Sequence, residues 1–192
     1  MKKNSNKKIL AIIPARGGSK RLPGKNAYPI WGRPMLCWAI DACKKSKFDI
    51  DVCVSSDSER ILGIAKSEGA ITHSRSEEGA GDRTYKQVAI REAAAYLLSA
   101  GIEADIYISL QANSPTLTHD QLDRGIEKLI ELDKDEIFSV DKNLLQNAAF
   151  RIFKGDYVFQ KDLSTNCGVI IEEAHDVHTL DDVKMLESKF SR

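Results

Sequence analysis

The sequence predicts an α/β fold in which helices cover both faces of a mostly parallel sheet. Short apolar runs alternate with amphipathic helical patterns along most of the chain. The first run, residues 8–14, is apolar after its initial lysine and ends in proline. Such a run is typical of a strand buried on both faces, as parallel strands are. Right-handed crossovers through helices would join successive strands, which gives three layers.

Seven runs of apolar residues predict strands, because each is of strand length and is bounded by turn residues or by a helical pattern. In chain order they are residues 8–14, 51–56, 70–73, 104–110, 136–140, 148–153 and 167–171. The pattern weakens beyond Asp141, so the last two strands depend on short runs alone.

Helices are predicted where apolar residues recur three or four positions apart. In chain order they are residues 33–46, a segment capped by Asp57 or Ser58 that ends at Gly69, and residues 83–99, 120–133 and 179–190. The last helix has the clearest start: Thr179 is the expected N-cap, with Asp181 and Asp182 in the first turn. Carboxylates at that place complement the helix dipole.

Length and composition favour a single domain over residues 1–192, with residues 1–7 as a flexible basic tail. Lys plus Arg and Asp plus Glu both number 28, so the formal net charge is zero. This balance argues against nucleic acid as a partner, which usually requires a basic excess. No apolar stretch approaches the roughly 18 residues of a membrane span, and the first run is too short for a signal peptide. We expect a cytoplasmic protein with no membrane partner.

The loop at residues 15–26 follows the first predicted strand and carries four cationic side chains: Arg16, Lys20, Arg21 and Lys25. Its glycines let backbone N–H groups approach an anion, and the cations supply the charge that a polyphosphate requires. Neither a Walker A loop nor GxGxxG is present, since five residues separate Gly18 from Gly24. Residues 111–116 emerge at the same edge of the sheet, so two loops should converge on one crevice.

Residues 12–26, IIPARGGSKRLPGKN, resemble the signature of the acylneuraminate (CMP-sialic acid) cytidylyltransferases. Three further segments resemble that family in the same order, at residues 55–70, 110–115 and 175–187, so the resemblance spans nearly the whole chain. It implies the Rossmann-like fold of nucleotide-diphospho-sugar transferases. It also implies an enzyme, a nucleotidyltransferase that joins CMP from CTP to the anomeric hydroxyl of an acidic 2-keto-3-deoxy sugar and releases pyrophosphate.

The resemblance also implies roles for individual residues. The catalytic cations that hold the triphosphate would be Arg16, Lys20 and Lys25. The nucleotide-binding residues would be Ala15, Arg16, Gly17, Gly18, Ser19, Lys25, Asn26, Arg75 and Asp82. The substrate-binding residues would be Gln111, Asn113 and Ser114. For Arg75 and Asp82 the alternative is an ordinary surface position, and for the last three it is turn chemistry.

The metal-binding motif departs from the family pattern. Relatives carry two aspartates one residue apart, whereas this chain has Asp176 and then His178. Mg²⁺ is the expected cofactor, with Mn²⁺ as the alternative, because an imidazole suits softer metals than Mg²⁺. Three accounts stay open: His178 binds a softer metal, Asp181 or Asp182 supplies the missing oxygen, or Asp176 and the phosphates suffice while His178 binds the substrate or a metal-bound water.

A second departure is the short segment at residues 141–167, where relatives have a larger insertion for the acceptor sugar and the dimer contact. The acceptor is therefore open among sialic, legionaminic, pseudaminic and Kdo-like acids, and a smaller acidic or phosphonate acceptor is the alternative. A CTP-binding paralogue without catalysis is another alternative. A homodimer is expected from the resemblance alone.

Overall fold

A computed structural model describes residues 7–75 and 86–190, and it contains one seven-stranded sheet. Its strands are β1 (Ile9–Pro14), β4 (Ile50–Ser56), β5 (Ile71–Ser74), β6 (Ile106–Leu110), β7 (Glu136–Val140), β8 (Gln146–Lys154) and β9 (Cys167–Ile171). The spatial order is β5-β4-β1-β6-β8-β7-β9. A separate two-residue pairing joins β2 (Pro29–Ile30) to β3 (Arg33–Pro34), which the sequence patterns did not predict.

Five helices complete the described part of the chain. They are α1 (Met35–Lys44), α2 (Glu59–Ser67), α3 (Lys86–Ser99), α4 (His119–Glu131) and α5 (Leu180–Lys189). Short 3₁₀ helices lie at Lys25–Ala27 and Gly155–Phe159. Thr179 caps α5 as predicted, because its side chain accepts a hydrogen bond from the backbone N–H of Asp182. Among the helices of the described ranges, none is both long and apolar enough to cross a membrane.

The sheet is parallel except at β8, which runs antiparallel to both β6 and β7. Strand β1 lies between β4 and β6, with Pro14 opposite Ser55 of β4 and Ile12 opposite Ser109 of β6. The carboxyl ends of these three strands therefore lie side by side. The loops that leave them meet at one edge of the sheet, where α/β folds bind their ligands.

Two hydrophobic clusters lie on opposite faces of the sheet. Helices α1, α2 and α4 pack on one face, and α3 with the second 3₁₀ helix packs on the other. The alternation of side chains explains this: Ile13 faces the first cluster, whereas Ile12 faces the second. Because β1 is apolar on both faces, helices can cover both, and the predicted three-layer, mostly parallel α/β fold is confirmed.

A glycine in α4 lets that helix approach the sheet closely. A Cβ added at Gly125 would lie 2.8 Å from Ile152 Cδ1 and 2.9 Å from Phe150 Cε2, both in the core. We expect Gly125→Ala to lower the free energy of unfolding by about 1–3 kcal/mol, because the core must shift to admit the methyl group. Urea titration would measure the change.

The matched control is Gly63→Ala, in the middle of α2, where a Cβ meets nothing within 4 Å. Alanine is the better helix former, so this variant should gain about 0.5–1 kcal/mol. Equal effects of the two substitutions would contradict the close packing of α4 on β8.

Candidate active site

The loop after β1 has a conformation fixed by its own backbone and by β4. The N–H of Ala15 donates to the Ser55 carbonyl at 2.9 Å, which continues the pairing of β1 with β4. Further on, Gly24 adopts φ +65°, the left-handed region that glycine tolerates best, and leads into the 3₁₀ helix Lys25–Ala27. Asn26 is buried, and its Nδ2 donates to the Arg16 carbonyl at 2.9 Å. The two ends of the loop are thus tied together.

Gly17 lies against the residues that follow β4. Its N–H donates to Asp57 Oδ1 at 2.8 Å, and a Cβ at this position would stand only 2.8 Å from Ser58 Cβ. Gly18 differs, because a Cβ there meets nothing within 4 Å. The close approach explains why glycine is needed at position 17 and identifies Asp57 as a part of the site that the sequence patterns did not reveal.

The segment after β9 returns to the same edge of the sheet and is held by the turn after β6. The backbone N–H of Val177 donates to the Asn113 carbonyl at 2.8 Å, and Asn113 Nδ2 donates to the Val177 carbonyl at 3.1 Å. The Ser114 hydroxyl donates to Asp176 Oδ1. Asn113 and Ser114, predicted as substrate-binding residues, thus have partners inside the protein and position Asp176; direct contact of either with a substrate stays a prediction.

A third hydrophobic cluster joins this segment to the loop after β1. Leu22 of the loop and Ile30 pack with Val177 and with Val183 and Leu186 of α5. This packing brings the start of α5 and the preceding Asp176 next to the cationic loop. Residues more than 150 positions apart in the sequence therefore form one site.

Charged residues of the loop and of the segment around the start of α5 both act on Lys25. Burial lowers the pKa of Lys25, as do the positive charges of Arg21 and Arg16, whereas Asp176 and Asp182 raise it. The structure thus brings three cations of the loop, Arg16, Arg21 and Lys25, near the carboxylate predicted to bind a metal. Such a cluster of cations around one carboxylate suits a polyanion bound with a cation.

His178 contacts the loop after β1. Its Nδ1 lies 3.1 Å from Arg21 Nη2, so the ring accepts a hydrogen bond from the guanidinium. Burial lowers the pKa of His178, and the charges of Lys25 and Arg21 lower it further. The imidazole is therefore neutral at pH 7. Sequence patterns placed Arg21 among the loop cations but gave it no partner.

The carboxylate of Asp182 caps the start of α5. Its Oδ2 accepts hydrogen bonds from the backbone N–H groups of His178 and Thr179, both at 2.8 Å. Burial by itself would raise the pKa of Asp182, but these hydrogen bonds lower it overall. Asp181 is exposed and lies near Lys184, at 3.9 Å. Within residues 7–75 and 86–190, no group of three or more His, Cys, Asp or Glu side chains could hold a metal ion.

The remaining predicted residues divide into three groups. Arg75 lies near the loop, since burial and the Arg16 charge lower its pKa while Asp57 and Glu92 raise it. Its Nε is buried without a hydrogen-bond partner among the described residues. Ser19 and Gln111 are half-buried, and Lys20 is exposed. Asp82 lies outside the described residues. Their contacts with a nucleotide or a substrate stay predictions.

The geometry can be compared with known proteins. Residues 10–192 match the family model described as cytidylyltransferase. The chain is 35% identical over 139 residues to the N-acylneuraminate cytidylyltransferase A of Danio rerio. The aligned residues cover 72% of this chain and 31% of that protein. It is 33% identical over 133 residues to a pseudaminic acid cytidylyltransferase of Campylobacter jejuni, which covers 69% of this chain and 57% of the relative. The chain thus spans about 31% and 57% of the lengths of these two relatives. Their names confirm the predicted resemblance.

Among solved structures, the fold is similar to that of CMP:2-keto-3-deoxy-manno-octonic acid synthetase complexed with CTP. The TM-score is 0.77 at 16% sequence identity, over 95% of this chain and 98% of the other. At that identity the likeness concerns the fold alone.

The contact between Arg21 and His178 leads to a prediction for titration. In the wild-type protein we expect a His178 pKa below the usual value of 6.5. Arg21→Ala should raise it, because the variant removes both a nearby positive charge and a donor that favours the neutral ring. Two-dimensional NMR of the imidazole protons would follow the titration. Arg60→Ala, an exposed arginine on α2, is the control and should leave it unchanged.

Proposed function

Since the chain belongs to the cytidylyltransferase family, we propose that it transfers CMP from CTP to an acidic 2-keto-3-deoxy sugar and releases pyrophosphate. The observation that carries this proposal is the convergence of the cationic loop and Asp176 at the carboxyl edge of the sheet. In the reaction, the anomeric hydroxyl of the sugar attacks the α-phosphorus in line. The bond from that phosphorus to the oxygen that bridges it to the β-phosphate breaks, pyrophosphate leaves with that oxygen, and the hydroxyl proton passes to water.

The loop would hold the triphosphate. Arg16, Lys20 and Lys25 offset the negative charge that develops on the departing pyrophosphate, and the N–H groups of Gly17 and Gly18 border the same space. Gly17 N–H already donates to Asp57, so this carboxylate fixes the backbone before a nucleotide binds. Catalysis would then come chiefly from positioning and charge stabilisation, as in other phosphoryl transfers.

The site fits a divalent cation held mainly by phosphate oxygens. Asp176 Oδ1 accepts a hydrogen bond from Ser114, and its second carboxylate oxygen could bind a metal. Mg²⁺ commonly uses one or two carboxylates together with substrate phosphates, and Mn²⁺ accepts similar ligands. When bound, the cation would neutralise phosphate charge. Of the three accounts for His178, these contacts favour the one in which Asp176 and the phosphates are enough to hold the metal. In the free protein the imidazole ring orients Arg21.

The acceptor class rests on the relatives. Their names specify N-acylneuraminate and pseudaminic acid, and the fold neighbour is named for 2-keto-3-deoxy-manno-octonic acid. All three are acidic sugars with a keto-acid end, so an acceptor of this class is the proposal. The second candidate is CTP binding without turnover, which the histidine at position 178 favours.

An activity assay tests the reaction itself. Purified protein with CTP, Mg²⁺ or Mn²⁺ and a panel of these acids should release pyrophosphate, which a coupled phosphate assay detects. Lys25→Ala should lower kcat/KM by roughly 10- to 150-fold, the value of a lost charge-assisted hydrogen bond. Lys66→Ala, at an exposed position on α2, is the matched control and should retain activity. CTP binding without pyrophosphate release, unchanged in His178→Asp, would favour the second candidate.

A further prediction concerns the loop backbone. Gly17→Ala should weaken CTP binding by about 5- to 100-fold, because the added methyl group forces the loop away from Ser58 and Asp57. Gly18→Ala should stay within about threefold of wild type, since its Cβ meets no other atom. Isothermal titration calorimetry with CTP would measure both. A larger loss in Gly18→Ala than in Gly17→Ala would refute this account of the loop.

A further inference from the structure

A direct side-chain contact joins the loop after β1 to the segment before α5. Arg21 Nη2 lies 3.1 Å from His178 Nδ1, although 157 positions separate the two residues in the sequence. A guanidinium can only donate hydrogen bonds, so the imidazole Nδ1 accepts, and the neutral ring carries its hydrogen on Nε2. While this bond stands, neither ring nitrogen offers a lone pair to a metal. The contact therefore makes His178 an acceptor for Arg21 and not a metal ligand.

The backbone around the His178 ring is fixed on both sides. Its N–H donates to Asp182 Oδ2 at 2.8 Å. The preceding residue, Val177, exchanges hydrogen bonds with Asn113 and is fully buried. Arg21, in contrast, is an exposed residue of the loop. A fixed acceptor thus holds a long side chain that would otherwise occupy many rotamers.

The contact places the Arg21 guanidinium at the candidate active site. Leu22, the next residue of the loop, belongs to the same hydrophobic cluster as Val177, so the loop and the segment meet at two adjacent positions. The neighbours of Val177, Asp176 and His178, are half-buried and lie outside that cluster. The guanidinium thus contacts a side chain only two residues along the chain from the carboxylate predicted to bind a metal.

We propose that Arg21 is a further phosphate-binding residue for CTP, and that His178 is its positioning residue. The inference rests on the proposed function, because it takes the bound polyanion to be the triphosphate of CTP. A guanidinium has five N–H donors in a planar fork, so a bond to one ring nitrogen leaves others for phosphate oxygens. Its charge also acts on Lys25, which places Arg21 among the loop cations that a polyphosphate would contact.

The ring would act before the nucleotide binds. Ordering a free arginine side chain on a ligand costs rotamer entropy, and the affinity falls accordingly. The hydrogen bond from Arg21 to His178 orders that side chain in advance, so less entropy is lost when CTP binds. Because the imidazole is uncharged when it accepts this bond, it does not neutralise the guanidinium.

A double-mutant cycle measured by CTP binding tests both roles. Arg21→Ala should weaken binding by about 10- to 150-fold, the effect of losing a hydrogen bond to a charged group. His178→Leu should weaken it by about 3- to 20-fold, because the arginine must then be ordered on binding. In the Arg21→Ala background, His178→Leu should change the affinity by less than about twofold. Isothermal titration calorimetry of the four proteins measures these effects.

His178→Asn is the rescue variant, because its amide oxygen can accept from Arg21 near the place of Nδ1. It should stay within about threefold of wild type. Arg60→Ala, at an exposed position on α2, is the charge control and should stay within about twofold. An equal effect of His178→Leu with and without Arg21, or a loss in His178→Asn as large as in His178→Leu, would overturn the positioning role.

Calorimetry in EDTA separates an arginine holder from a metal ligand. The loss in His178→Leu should persist there, because the contact with Arg21 needs no metal. A loss confined to solutions with Mg²⁺ or Mn²⁺ would place His178 on the metal and overturn the proposal.

The same binding data separate this inference from the proposed function. CTP binding with the expected pattern but without pyrophosphate release would remove the reaction and keep the roles of Arg21 and His178. Pyrophosphate release with equal CTP affinity in wild type and Arg21→Ala would keep the reaction and remove those roles.

Discussion

The site depends on the pair of hydrogen bonds between Asn113 and Val177. Through them the turn after β6 holds the segment before α5 as a further strand would be held, by backbone groups on both partners. The same contact positions Asp176, because Ser114, the residue after Asn113, donates a hydrogen bond to the Asp176 carboxylate. The packing of Val177 against Leu22 then fixes the loop after β1 on the other side. One contact thus sets the distance between the carboxylate and the cations.

This arrangement concentrates positive charge at a cost to the free protein. Arg16 and Arg21 lower the pKa of Lys25, and Arg16 also lowers that of Arg75, so each cation destabilises the charged form of its neighbour. Burial has the same effect on both groups. A bound polyanion would raise the pKa values of these cations instead, because its negative charge pairs with all of them at once. The electrostatic repulsion is therefore localised where a bound triphosphate would relieve it.

The sequence predicted the elements well because the signals are local. Apolar runs located the seven strands, and Thr179 with Asp182 located the start of α5. The direction of β8 could not be predicted, since alternation of side chains is the same in parallel and antiparallel strands. The cations of the loop were predicted from their spacing, and their contact with a nucleotide stays a prediction. Asp57 was not predicted as part of the site, because its contact with the Gly17 N–H joins residues 40 positions apart in the sequence.

The histidine at position 178 changes the electrostatics of the loop more than its geometry. A carboxylate beside Arg21 would form an ion pair and neutralise the guanidinium, in addition to any contact with a metal. The neutral imidazole instead accepts one hydrogen bond from Arg21 and leaves its positive charge intact. Under the proposed function, the site would have one oxygen ligand fewer for a metal and one cation more for phosphate. Asp182 would not replace that ligand, because its Oδ2 already accepts hydrogen bonds from the backbone N–H groups of His178 and Thr179.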